Sequence, residues 1–174
     1  MSDRRDDLEG LLARLIHAGV DFVVIGGFAA MAHGSTLLTR DLDVCCDFSY
    51  ENLQRLARAM DDITPVHRTP SRPPLEITRE MAETFNNLYL DTEIGQIDCL
   101  SQVKGIGEYE DVERSSRVIE HPSGPCRVLE LGALITSKRA MGRPRDHQAV
   151  IELEAIRERR CKSPGPDGPD NDAK

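Results

Sequence analysis

Asp41 and Asp43 flank a single leucine in RDLDVCCDF, a spacing that matters because alternate residues of a β-strand point to the same face. Four carboxylate oxygens then stand side by side, while Leu42 and Val44 enter the core. Like charges this close repel and call for a counter-ion. Asp98 repeats the logic in GQIDCLS, with Ile97 and Cys99 inward, so pairing of the two strands brings a third acid to the same spot. Three hard oxygen ligands suit Mg²⁺ or Mn²⁺. A pair of such ions about 4 Å apart can clamp the attacking and leaving oxygens of a phosphoryl displacement. Gly26-Gly27 ends the apolar run DFVVIGG and opens the helix-forming FAAMAHG. Missing side chains there let phosphates approach the backbone, and a helix N-terminus offers N–H donors. Each piece alone is common, since glycine turns and solvated strand edges carrying DxD occur in many proteins.

The elements that must position these residues follow from periodicity. Leu8, Leu11, Leu12, Leu15 and Ile16 predict an amphipathic helix over 5–18, with Gly19 as its C-terminal cap. Strand, glycine turn and helix then follow through DFVVIGGFAAMAHG, ending at Gly34. RDLDVCCDF is a strand, and YENLQRLARAM a helix beginning at Ser49 or Tyr50. Four prolines (Pro65, Pro70, Pro73, Pro74) make 64–76 an exposed, mobile loop able to cover a site. FNNLYLDTEIGQIDCLS reads as a hairpin around Gly95, VKGIGEY as a glycine-rich bend, and RVIEHPSGPCRVLEL as a second hairpin turning at Pro122 to Gly124. The helix 131–141, broken by Gly142 and Pro144, and its continuation through DHQAVIELEAIRERR form a closing helical hairpin. The expected fold class is α/β (α+β): a mixed β-sheet flanked by helices, as one domain over 1–161, followed by a Pro, Gly and Asp-rich tail, 162–174, expected to be disordered.

Composition narrows the functions. A hydrophobic fraction of 39% with 13 glycines fits an ordinary globular chain rather than a disordered one. The absence of a long apolar run and the charged start MSDRRDDLEG argue against membrane spans and signal peptides, so a cytoplasmic protein is expected. Five scattered cysteines without a CxxC pair suggest small buried hydrophobes, not a disulfide framework or a zinc site. The net charge of −8 opposes binding nucleic acid over the whole surface. From Lys138 to Lys162, however, eight basic residues meet four acidic ones, a local +4 that leaves −12 elsewhere.

Order and spacing add weight to the single motifs. An apolar strand, GG, thirteen residues, DLD and a later strand with a lone Asp resemble the nucleotidyltransferase superfamily that includes polymerase β-like enzymes. More closely, GGFAAMAHGSTLLTRDLDVC, FNNLYLDTEIGQIDCLSQVKGIGEYEDV and LGALITSKRAMGRPRDHQAVIELEAI look like small bacterial nucleotidyltransferases related to abortive-infection, type IV toxin–antitoxin toxins. The resemblance runs from about residue 8 to 158. It implies a nucleotidyltransferase fold and transfer of a nucleoside monophosphate from a nucleoside triphosphate, ATP among them, to an acceptor hydroxyl on protein or RNA, tRNA included. Gly26 and Gly27 would contact phosphate, Ser35 and Thr39 would line the same turn, and Asp41, Asp43 and Asp98 would be catalytic and hold the metal ions. Lys138 matches a basic family position, with Arg139, Arg143 and Asp146 nearby. A cognate toxin or antitoxin chain is an implied partner. One departure stands out: many relatives carry Arg four residues before the first metal Asp, and Leu37 occupies that place, leaving Arg40 or the helical arm to supply the charge. Leu37 also motivates the alternative of a catalytically weak nucleotide-binding or partner module. His33 is expected to cap or pack, and no Ser/His/Asp arrangement is legible.

Overall fold

A computed structural model describes residues 7–162, so the first six residues and the predicted tail from 163 onward lie outside the described part. The first helix, α1 (Leu8–His17), starts at Asp7, whose carboxylate accepts from the Gly10 N–H at 2.8 Å. It ends before Gly19, whose φ of +65° is the left-handed turn that glycine allows. Next come β1 (Phe22–Val24), α2 (Gly26–Ala32), β2 (Asp41–Cys46) and α3 (Tyr50–Met60), the last capped by Ser49. Beyond a 3₁₀ turn lie β3 (Val66–His67), α4 (Arg79–Thr84), β4 (Asn87–Thr92) and β5 (Gly95–Leu100). The chain continues through the short pair β6 (Gln102–Val103) and β7 (Gly107–Glu108), then α5 (Tyr109–Arg114), β8 (Ser116–His121), β9 (Gly124–Leu129), α6 (Leu131–Met141) and α7 (Pro144–Lys162).

Seven strands form one mixed sheet in the order β3-β4-β5-β2-β1-β9-β8. The two central pairings that matter are β1 against β2, antiparallel, and β2 against β5, parallel. Leu42, Val44, Ile97 and Cys99 are all fully buried, joining Leu11, Leu12, Leu15, Leu53 and Leu56 from α1 and α3 in the core. Burial of these aliphatic side chains, each worth roughly 1.5–3 kcal/mol, holds the parallel pair in register, because a slip of one residue would drive the carboxylates into the core. Asn52 adds a fully buried amide with four polar contacts: it accepts from the Asp21 N–H and Arg55 Nη2 and donates to the Asp21 and Asp47 carbonyls.

Two expectations need revision. The proline-rich segment is not simply a loose loop: Val66 and His67 pair with β4, the His67 N–H donates to Pro73 O, and the Leu75 N–H to Pro65 O. The prolines sit at the sheet edge and in the turn, where a missing donor costs nothing. The break after Met141 and the helical hairpin are present, but α7 restarts at Pro144, two residues before the expected Asp146, the lost proline N–H being one that no helix start uses. Helices α4 and α5, six residues each, are too short to show a helical period in the sequence.

Candidate active site

Parallel pairing sets Asp43 directly beside Asp98 and Asp41 beside Gln96. Asp41, Asp43 and Asp98 each offer an oxygen within 4.8 Å of the others. Burial, followed by the charges of Asp41 and Asp98, pushes the Asp43 carboxyl up to about 7. Asp98 is also raised, by burial first and by Asp41, against the opposing charge of Arg68. The acids are thus short of positive charge, and Arg68 at 2.9 Å from Asp98 Oδ1 is the only cation within ion-pair distance of the three among the described residues. Asp98 Oδ1 is shut off from solvent, and the guanidinium of Arg68 is its charged neighbour.

The glycines are demanded by this geometry. Gly26 has φ +62°, and a Cβ there would collide with the Asp43 carboxylate. A Cβ on Gly27 would stand 2.7 Å from Thr39 Oγ1. Thr39 Oγ1 in turn donates to Asp41 Oδ1 at 2.9 Å, which fixes that carboxylate's orientation. The backbone turn, the threonine and both acids of β2 therefore interlock.

Across a cavity of about 400 Å³ stands a basic wall from α6 and α7. Asp146, with no exposed surface, accepts from Arg143 Nε at 2.6 Å and lies 3.4 Å from Lys138 Nζ. Burial opposes its ionisation, yet the Arg143 hydrogen bond and the Lys138 charge hold it below the usual carboxylate range. Arg143, Lys138, Arg145 and Lys104 all line the cavity, as do Gly26, Gly27 and Thr39. Three residues expected near the nucleotide are elsewhere: Ser35 Oγ donates to Glu152 Oε2 of α7 at 2.5 Å, Arg139 pairs with Glu154, and Arg40 is exposed and does not line the cavity. Leu37 lines the cavity and Leu38 is 91% exposed at its rim. His33 is buried and donates to Leu129 O at 2.8 Å; it packs away from the cavity, its basicity lowered first by burial.

Sequence reasoning missed Arg68, Tyr89 and Asp91. Tyr89 and Asp91 alternate along β4 as Asp41 and Asp43 do along β2, a signal present in NLYLDT, and Tyr89 pairs directly with Asp98. Nothing in the proline-rich segment distinguishes Arg68 from its neighbours.

No family model matches the sequence, and no curated protein matches it. Solved structures do resemble the fold. The lincomycin-bound lincosamide antibiotic adenylyltransferase LnuA superposes with a TM-score of 0.57 at 16% identity, over 86% of this chain and 95% of that one. An antigenic nucleotidyltransferase-like protein from Paracoccidioides brasiliensis gives 0.52 at 12%, over 89% and 76%. At such identities a likeness concerns architecture, and on it this chain has the nucleotidyltransferase fold.

Proposed function

We propose that the chain is a metal-dependent nucleotidyltransferase that moves a nucleoside monophosphate from a nucleoside triphosphate to an acceptor hydroxyl and releases pyrophosphate. The observation that carries this reading is the register pairing of Asp43 with Asp98, with Asp41 alongside, at the floor of a cavity whose opposite wall is basic. The residues fit divalent ions: three oxygen donors lie close together, and burial leaves the group short of positive charge. Mg²⁺ or Mn²⁺, two ions in number, would be held by Asp41, Asp43 and Asp98 and would supply charge neutralisation on the phosphates. The bare backbone at Gly26 and Gly27 leaves room for a phosphate beside the acids. Lys138 and Arg143 face the same space, where their charge favours a triphosphate and the pyrophosphate that leaves. Asp98, on the strand farther from the glycines, is the group nearest an incoming hydroxyl and accepts its proton. Catalysis on this reading is mostly positioning.

The acceptor class remains within this proposal. A hydroxyl on a protein or on RNA, tRNA included, fits the family resemblance, in a toxin–antitoxin or phage-defence setting with a cognate partner chain in the cytoplasm. The lincomycin-bound neighbour adds a small hydroxylated molecule. No helix of the described residues is long and apolar enough to cross a membrane. Incubation with each α-labelled triphosphate, Mg²⁺ and pools of protein, RNA or small hydroxylated compounds tests the reading. Label transfer should vanish in Asp41→Ala/Asp43→Ala, a loss of at least about 10³-fold. Transfer that survives the double substitution overturns it.

Leu37, in place of the relatives' arginine, favours a second reading: a nucleotide-binding module with little turnover. Calorimetry separates the two, since tight ATP binding with Mg²⁺ and no pyrophosphate release in any acceptor pool selects the module.

A further inference from the structure

Arg68 belongs to no motif, yet its side chain is held by several groups at the outer edge of the site. Its backbone N–H donates to Tyr89 O at 2.8 Å, just beyond β3. Its Nε donates to Asp91 Oδ1 at 3.1 Å and its Nη2 to Leu90 O at 3.1 Å, while the same Nη2 lies 2.9 Å from Asp98 Oδ1. Asp91 is a firm anchor, since it also accepts from Arg72 Nη1 at 2.7 Å and Gln96 Nε2 at 2.9 Å. A planar guanidinium gripped along its back edge cannot follow a moving partner, so Asp98 must orient to it rather than the reverse. The consequence is an asymmetric carboxylate: Oδ1 is sealed against the guanidinium, leaving Oδ2 for the cavity.

We propose that Arg68, clamped by Asp91, is a positioning residue for Asp98: it reserves one carboxylate oxygen, leaves a single oxygen for a divalent ion, and its charge limits how tightly the three acids hold that ion. The inference rests on the reading of Asp41, Asp43 and Asp98 as a metal site. A small ion that demands near-octahedral geometry is served by single-oxygen ligands, whereas a freed Asp98 can grip with both oxygens. Removing Arg68 also removes a positive charge that repels the ion.

Mn²⁺ titration of the full chain, followed by electron paramagnetic resonance, tests the proposal. Arg68→Ala is expected to bind Mn²⁺ about ten-fold more tightly than wild type. Arg68→Lys, which keeps the charge, should stay near the wild-type affinity. Millimolar guanidinium should return Arg68→Ala toward the wild-type value where equal NaCl does not, a rescue that a purely structural role would not show. Where Arg68→Ala fails to fold, Arg68→Met keeps the apolar stem and takes its place. Unchanged or weaker Mn²⁺ binding in the folded variant overturns the proposal. Asp98→Asn distinguishes the two levels of failure. If wild type binds no Mn²⁺, or Asp98→Asn binds it equally well, the metal reading falls and this inference with it. If binding depends on Asp98 but not on Arg68, only the inference falls.

Discussion

The two walls of the cavity are built from opposite charges in opposite states of balance. On β2 and β5, three carboxylates share one nearby arginine, and Asp43 resists ionisation up to about 7. On α6 and α7, a single buried carboxylate, Asp146, is held by both Lys138 and Arg143. The first wall is strained and improves when positive charge arrives. The second is already satisfied as a structure, and its spare positive charge faces the space between. A local excess of charge in a sequence therefore means little until its partners are known. Four of the helical arm's eight basic residues are paired with Asp146 or Glu154, while the acids of the sheet are left open.

The contrast between the walls depends most on Asp146. Asp146→Ala leaves Lys138 and Arg143 unpaired, and because Arg143 is partly exposed the cost falls short of a fully buried pair's, at roughly 2–3 kcal/mol. Chemical denaturation should show that loss, and a change below about 1 kcal/mol would mean that the basic wall is not organised by this acid.

The strained wall makes a pH-dependent prediction of intermediate size. An acid whose folded pKa is raised holds its proton in the native state while the unfolded chain has released it, so its contribution to stability falls as pH rises from about 4 to about 7 and is level above. Carboxylates held low, such as Asp91 and Asp146, act in the opposite direction at lower pH, so the single-site comparison isolates the effect. With metal chelated, Asp43→Asn should gain on wild type across that window by roughly 1–3 kcal/mol, below a ceiling of about 4 kcal/mol set by the size of the shift. Melting curves at several pH values check this, and a difference that stays flat would show the acids to be already compensated.

The smallest effect belongs to the outer surface of the basic arm. Arg139 reaches Glu154 at 2.5 Å, but more than half of its side chain is exposed. Arg139→Ala should cost less than about 1 kcal/mol in thermal unfolding, and less again at high salt.

Much of this arrangement was legible in residue order. Asp41, Asp43 and Asp98 could be assigned to strands because period-2 alternation is strong there, and Gly26-Gly27 because two glycines after an apolar run have few other uses. Ser35 is tied to the nucleotide only by the family resemblance, and Arg40 and Arg139 only by their closeness in the chain to Asp41 and Lys138. Ser35 instead meets Glu152, which is 117 residues away, a contact that only the docking of α7 decides. Arg68 was out of reach for the same reason. Its importance comes from a two-residue edge strand whose hydrogen bonds follow from β4, and no local propensity encodes such a long-range pairing.

The buried cysteines have a practical corollary. Cys45, Cys46, Cys99 and Cys126 are enclosed, and burial raises the Cys45 thiol to about 12, far from the thiolate that reacts with electrophiles. Cys161, near the end of α7, is the exposed one. A maleimide dye added to the folded chain at neutral pH therefore has one ready target among five thiols. That target rides on the helix whose other end supplies Asp146, so the native sequence already carries a specific attachment point for following α7 by fluorescence.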